Sequence, residues 1–332
     1  PHMYYTHRIS DRFTFGVGEF TRYGLGFEYP HNWPGRFNIY EVSLKSASVN
    51  PNIAWAVTDK LSLAAGAEIV YVNLDLKRRA LVESDVAGLY SFEVDSNIQK
   101  ASDTGLGWDA AMHYQFNDRW AFGFLYRSRV RVHAKGEVEY TMMHYQGVPV
   151  PGLKDQVEAG YKENFRDGKA HSMVILPDSF SAGMAFSPLP ELSFEFAATY
   201  TRWSSFRDLN IHVPQPVGVS TSHKHWKDVW RLGFGIEYSP LDWLTLRAGY
   251  VFDESPMPTG NNQDYLVPTN DRNIWSLGLG FRWDSWTVDL AYAFIDAKAR
   301  IYHENTETGV LRSRTHESNA THIGSVSLGY RF

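Results

Sequence analysis

Cysteine is absent from the 332 residues, which excludes a disulfide framework, a thiol nucleophile and a Cys-based zinc site. Long apolar runs are missing too. No stretch approaches the roughly 18 residues of a membrane-spanning helix, and the mean hydropathy is -0.35. An inner-membrane helical protein is thereby excluded, but a transmembrane β-barrel is not, because each barrel strand needs only about 9 to 11 alternating residues. Positive charge is not in excess: a formal net charge of -5 argues against a nucleic-acid partner. No secretory signal is visible at Pro1-His2-Met3, where the chain already reads as a strand. The sequence is therefore expected to be a processed or truncated fragment, or to begin with residues foreign to the natural chain. Neither half shows a linker or a composition shift, so residues 1–332 are read as one domain.

Aromatic residues, in contrast, are abundant: 11 Trp, 19 Tyr and 20 Phe. A soluble sandwich hides most of its aromatics in a core, whereas a transmembrane barrel sets them in girdles at the two membrane interfaces. The clearest local pattern lies in residues 173–211. Phe180, Ala182, Met184 and Phe186 alternate with Ser179, Ser181, Gly183, Ala185 and Ser187. After Pro188-Leu189-Pro190-Glu191, Leu192, Phe194, Phe196, Ala198 and Tyr200 alternate with Ser193, Glu195, Ala197, Thr199 and Thr201. Period two on both sides of a turn predicts a β-hairpin with one oily and one polar face.

The same hairpin recurs along the chain. Residues 2–9 turn at Ser10-Asp11 into 12–21, residues 40–57 turn at Thr58-Asp59-Lys60 into 61 to about 76, and 105–116 turn at Asn117-Asp118 into 119 to about 138. Further on, 230–238 turn at Pro240-Leu241-Asp242 into 243–252, 274–283 turn at Asp284-Ser285 into 286 to about 301, and 321–332 end the chain. About thirteen strands are expected, with tight turns alternating with excursions of roughly 17 residues or more. This rhythm suits an all-β, antiparallel transmembrane barrel with short periplasmic turns and long extracellular loops, the apolar faces meeting lipid and the polar faces lining a lumen. Single-chain bacterial barrels have an even strand number with both ends periplasmic, yet the first visible strand here runs down from the extracellular side. One N-terminal strand is thus expected to be missing, leaving a poorly closed edge.

Several motifs carry a family likeness. Leu176-Pro177-Asp178-Ser179-Phe180, Tyr200-Thr201-Arg202-Trp203-Ser204-Ser205-Phe206 and Trp226-Lys227-Asp228-Val229-Trp230-Arg231-Leu232-Gly233 resemble the FadL/TodX family of outer-membrane transporters for long-chain fatty acids and hydrocarbons. So do Leu246-Arg247-Ala248-Gly249-Tyr250, Asp253-Glu254-Ser255-Pro256-Met257-Pro258, Pro268, Asp271-Arg272 and, near the start, Tyr23-Gly24-Leu25, Glu28-Tyr29, Trp33 and Gly35-Arg36-Phe37. The resemblance implies a fourteen-stranded barrel plugged by an N-terminal hatch, with this chain beginning at the family's second strand and lacking the hatch. It also implies a bacterial outer-membrane location and uptake of a long-chain fatty acid or other hydrophobic small molecule by loop capture, lumen binding and lateral diffusion through the wall. Expected partners are that ligand, outer-membrane lipid and lipopolysaccharide, and the barrel-assembly machinery during insertion. The protein is expected to be a monomer with no cofactor and no metal.

Candidate groove residues are Leu81, Val82, Val86, Leu89, Tyr90 and Phe92 in one excursion, and Met142, Met143, Tyr145, Val148, Val150 and Leu153 in another. Apolar side chains on water-facing loops suggest a binding surface, or else they pack on one another as a cap. Arg127, Arg129, Arg131 and His133 form a basic ladder on one strand, which either attracts a carboxylate or pairs with Glu68, Asp109, Glu195, Glu237, Asp253 and Asp289. The resemblance places the ligand carboxylate at Arg78, with Lys224 as partner cation, and the lateral opening at residues 12–21. Gly16 and Gly18 inside that strand, and Asn50 with Pro51 on the next, suit an irregular wall there. The closing Tyr330-Arg331-Phe332 resembles the outer-membrane assembly signal. An enzyme is not expected, since the 13 His include no HExxH and no Ser sits in a nucleophile elbow. A lipid hydrolase and a general porin stand as the alternative readings.

Overall fold

The computed structural model describes residues 2–260, 263–266, 270–305, 309–314 and 319–331, apart from the side chain of Asn319. Pro268 of the family motifs and the terminal Phe332 lie outside the described residues.

Alternation produces the wall. The first arc holds β1 (Met3–Arg8), β2 (Phe13–Phe20), the short β3 (Gly24–Glu28), β4 (Glu41–Ala56), β5 (Leu61–Glu83), β6 (Tyr90–Asn117) and β7 (Trp120–Arg127). β8 (Val130–Gly147), the helix α1 (Leu153–Asn164) and β9 (Gly168–Leu176) fill the following excursion, before β10 (Ser179–Leu189) and β11 (Leu192–Thr201). β12 (Asp208–His212) and β13 (Val219–His223) form the next. The chain continues through β14 (Val229–Leu241), β15 (Leu244–Asp253), β16 (Arg272–Trp283), β17 (Trp286–Ala297), the minor pair β18 (Ile301–Tyr302) and β19 (Ser313–Arg314), and β20 (Asn319–Tyr330).

Antiparallel pairing runs β1–β2–β4–β5–β6–β7–β10–β11–β14–β15–β16–β17–β20, the thirteen wall strands expected. Among the described residues, β1 pairs with β2 alone and β20 with β17 alone. Large apolar side chains stand exposed on one face of successive strands: Trp230 and Phe234, Leu246 and Tyr250, Trp275 and Leu277, Leu290 and Tyr292. So continuous an apolar surface requires lipid rather than water as its solvent. On the opposite face Arg247 donates from Nε to Glu237 Oε2 at 2.6 Å and from Nη1 to Asp289 Oδ1 at 2.7 Å, linking β15 to β14 and, past β16, to β17.

Two expectations are corrected. The lumen face is not polar throughout: towards the extracellular end, Val70, Val72, Leu74 and Leu76 of β5 are buried in the main core with Val130, Val132, Phe206 and Trp226. And residues 119 to about 138 are not one strand. β7 ends at Arg127, the chain leaves strand geometry at Ser128 and Arg129, and β8 begins at Val130. The first residues of β8 then pass over two glycines of β6. A Cβ on Gly105 would lie 2.6 Å from the Arg131 carbonyl oxygen, and one on Gly107 2.7 Å from a Val130 methyl, so only glycine permits this approach.

The excursions carry structure of their own. Beyond a register shift at Leu74/Leu76, the β5–β6 hairpin extends past the wall, β6 takes β8 as its partner, and β8 takes β9. β9 meets β12 over two residue pairs only, Ile211↔Ser172 and His212↔His171, and β12 pairs with β13. α1 lays Val157 against Phe92 and Val94, with Leu153, Tyr161 and Phe165 beside them, as a second small core.

Candidate ligand cavity and its cationic mouth

The lumen holds a cavity of about 1020 Å³, at the upper end of the roughly 300–1,000 Å³ usual for small-molecule sites. Its extracellular part is lined by Leu25, Val42, Leu44, Leu74 and Leu76. An aromatic corner adjoins them: Trp203 meets Tyr23 edge-on at 5.9 Å and Trp226 at 5.0 Å, and Phe206 meets Trp226 at 5.1 Å. Deeper in, the lining turns polar, with Asn50, Asn52, Arg127, Arg231, Ser181 and Thr199.

Arg78 and Lys224 lie among the extracellular elements, outside the lining of the cavity itself. Arg78 lies on the extracellular extension of β5 and donates from Nη2 to Ser220 Oγ at 2.8 Å. Lys224 follows β13 and donates from Nζ to Ser222 Oγ at 3.0 Å and to Asp264 Oδ2 at 2.7 Å. Ser220 and Ser222 are two apart on one strand and therefore share a face, so the hydroxyl partners of the two cations are neighbours. Their circumstances differ. Lys224, 4% exposed, is neutralised by Asp264. Arg78 has no carboxylate partner among the described residues, and burial pulls its guanidinium below its ordinary pKa.

The basic ladder does not stay together, because the break at Ser128 and Arg129 changes which residues face inward. Arg127 lines the cavity with its guanidinium over the Phe20 ring at 5.2 Å. Arg129 pairs with Asp178 at 3.0 Å, while Arg131 and His133 are exposed between the buried Val130, Val132 and Ala134. The acids take other partners: Arg22 holds Glu68 at 2.6 Å with both side chains buried, Asn50 donates to Asp109, and Arg272 holds Asp253.

The groove candidates divide. Phe92 is 3% exposed and belongs to the α1 core, against which Val82 and Met142 pack. Leu81, Val86, Val148 and Val150 are exposed, and Leu89 and Met143 are half-buried. At the expected lateral opening, pairing is continuous along β2 through Gly16 and Gly18, with β1 on one edge and β4 on the other. No break in the pairing falls at those two glycines. The irregularities lie nearby. The β4–β5 ladder skips Asn50 and Pro51, where Pro51 offers no N–H and Asn50 Nδ2 donates to the Ala67 carbonyl at 2.8 Å, stitching the wall with a side chain. Residues 21–23 leave the strand between β2 and β3, directing Arg22 to Glu68 and Tyr23 Oη to the Pro177 carbonyl at 3.0 Å. The edge of β3 away from β4 has no strand partner among the described residues.

The Arg22–Glu68 pair, α1 and Ser220 went unrecognised in the sequence. Only the helix had a signal, since Leu153, Val157, Tyr161 and Phe165 recur every fourth residue. Glu28, His31 and Glu41 bring ligand-type atoms within 4.8 Å of one another, but Lys77 holds Glu41 at 2.7 Å and the grouping reads as ion pairing.

The sequence profile of the family described as "Outer membrane protein transport protein (OMPP1/FadL/TodX)" matches residues 1–332. Outer membrane protein P1 of Haemophilus influenzae is 24% identical over 347 aligned positions, covering 97% of this chain and 71% of that protein. The long-chain fatty acid transport protein of Escherichia coli (strain K12) is 22% identical, covering 90% of this chain and 71% of that one. In fold, the chain is similar to a Pseudomonas aeruginosa FadL homologue, with a TM-score of 0.84 at 23% identity over 99% of this chain and 77% of the other. The Pseudomonas putida toluene transporter TodX gives a TM-score of 0.69 at 17% identity, covering 99% and 81%.

Proposed function

Because the chain belongs to the outer membrane protein transport family (OMPP1/FadL/TodX) and is a β-barrel of the bacterial outer membrane, we propose that it carries long-chain fatty acids or related amphipathic hydrocarbons through that membrane. The observation that carries this reading is Arg78: a half-buried guanidinium without a carboxylate partner among the described residues, on the extracellular extension of β5 two residues beyond Leu76, which lines the apolar outer part of the cavity. A buried cation without a counter-ion is costly, and a ligand carboxylate relieves that cost while its tail fills the apolar lining. Capture begins on the exposed Leu81, Val148 and Val150, and release is lateral, at the departure of residues 21–23 from the wall beside the free edge of β3. Lipopolysaccharide around the apolar girdle and the assembly machinery during insertion are the remaining partners of this scheme.

The aromatic corner supports a second reading, an uncharged monoaromatic cargo, for which Arg78 is structural. One experiment separates the two. Protein-containing vesicles are given labelled palmitate or labelled toluene, and uptake is compared between wild type and Arg78→Gln. Loss of palmitate uptake with toluene uptake intact is the expected result. Palmitate uptake that is unchanged by the substitution overturns the carboxylate reading, and free passage of small hydrophilic solutes replaces both with a porin.

A further inference from the structure

Beyond the mouth, the cavity contains a second set of cations that no pairing explains. Arg127, at the end of β7, and Arg231, on β14, both line it, and neither makes an ion pair among the described residues. Each has a carboxylate directly across its strand pairing, Asp109 for Arg127 and Asp253 for Arg231. Those carboxylates are engaged elsewhere: Asp109 accepts from Asn50, and Asp253 accepts from Arg272. Phe20 holds the Arg127 guanidinium by its ring face, a contact that steadies a cation without neutralising it.

Between the two arginines lies a row of hydroxyls. The pairing β7–β10–β11–β14 sets Arg127 opposite Ser179, Ser179 opposite Thr201, Ser181 opposite Thr199, and Thr199 opposite Arg231. Ser181 Oγ and Thr199 Oγ1 are 2.9 Å apart, and all four hydroxyl residues line the cavity. Three interstrand spacings and a two-residue offset along the strand put the backbones of Arg127 and Arg231 roughly 16 Å apart. Over that distance the two arginines share one cavity, with hydroxyl residues lining the wall between them. The aromatic corner of Trp203, Phe206 and Trp226 borders the same cavity.

We propose that this arginine–hydroxyl belt is a second anion station inside the lumen, taking the carboxylate of an amphipathic acid whose apolar tail lies against the aromatic corner. The inference rests on the transport reading above and narrows it: a chain that holds a headgroup twice, once at Arg78 and again at the belt, selects acids over esters and hydrocarbons of equal length. Guanidinium groups donating to a carboxylate supply that selection, and the hydroxyls complete the acceptor's remaining lone pairs.

The test counts bound ligand. Purified full-length chain in a non-ionic detergent is titrated with laurate and with methyl laurate, and bound molecules are counted by native mass spectrometry, with circular dichroism confirming that each variant keeps its strand content. Wild type is expected to hold two laurates, and Arg127→Gln with Arg231→Gln to hold one, the one that Arg78→Gln in turn removes. The preference for laurate over methyl laurate at the deeper station, about tenfold or more in the wild type, falls to near parity in the double variant. Ser181→Ala with Thr199→Val, which removes hydroxyls while keeping the guanidinium groups, gives a smaller loss of the same kind and supports the belt even if the arginine variant does not fold. Two laurates with unchanged preference in both variants overturn the belt. One wild-type laurate, lost in Arg78→Gln, removes the belt and leaves the transport reading intact; no binding of acid or ester removes both.

Discussion

The arc from β10 through β20 and the arc from β2 through β9 are built on the same alternation but differ in what interrupts it. In the former, the ladders β15–β16, β16–β17 and β17–β20 run without a break, and the register shifts of β10–β11 and β14–β15 sit at the tight-turn ends. In the latter, the chain leaves the wall at residues 21–23, skips pairs at Asn50 and Pro51, shifts at Leu74/Leu76, and breaks at Ser128 and Arg129. Two of these breaks are answered by a buried side chain: Glu68 for Arg22, Asn50 for the missing Pro51 donor. The uninterrupted ladders of the regular arc differ. Its charges, such as Arg247 with Glu237 and Asp289, remain exposed to the lumen. Irregular wall and buried polar network are thus two sides of one arrangement, and they surround the cavity.

Substitutions that unmatch the two arcs sharpen this contrast. Arg22→Ala leaves Glu68 buried and uncompensated, with an expected loss of about 3–5 kcal/mol, whereas Arg247→Ala, in an exposed network, costs about 1 kcal/mol or less; urea unfolding in detergent, followed by tryptophan fluorescence, measures both. Next in size is Gly105→Ala, whose Cβ meets backbone and side chain of β8 at 2.6 Å and costs about 1–3 kcal/mol by forcing the two strands apart. Gly235→Ala is its control in the regular arc, where a Cβ meets nothing within 4 Å and the change stays within about 0.5 kcal/mol. Asn50→Ala removes the stitch at Pro51, with an expected cost of about 1–2 kcal/mol and faster hydrogen exchange confined to β4 and β5.

The smallest effect is one of pH. Arg36, on the 3-10 turn Pro34–Phe37, donates from Nε to Glu93 Oε2 at 3.1 Å, and Arg79 donates to the same oxygen at 2.8 Å. The Arg36 hydrogen bond, with Arg79 behind it and burial opposing, holds the Glu93 carboxyl down to about 2. A carboxylate held below its unfolded value contributes stability that is fully present above that unfolded value, near 4.5, and is lost as pH falls towards 2. Near-UV circular dichroism of the extracellular extension is therefore expected to be constant from pH 7 to 5 and to fade below 4.5, and Arg36→Gln moves the fading to higher pH.

How much of this was legible in the sequence follows the same division. The hairpin at Pro188, the Trp230 and Leu244 strands and the count of thirteen could be read because period two persists along strands that pair without interruption. The strand expected through Arg127 to His133 failed because alternation does not report a change of direction at Ser128; the residues on either side keep their pattern while facing differently. α1 was obscured by Pro149, Pro151 and Gly152 ahead of it, although its four-residue apolar spacing was present. Arg78 and Lys224 were reached through a family likeness. The serines that align them lie 142 and 2 residues away, and no local rule joins Arg78 to Ser220 across such a separation.

The ladder between β9 and β12 is only two pairs long, so the extracellular sheet consists of two panels hinged on a narrow seam. Arg78 belongs to one panel and Ser220 to the other, and their 2.8 Å bond crosses the seam as a latch. Under the transport reading, an anion that draws the guanidinium away from Ser220 removes one bond between panels that the stacked His171 and His212 rings and the shared core of Val174, Leu209 and Ile211 still join.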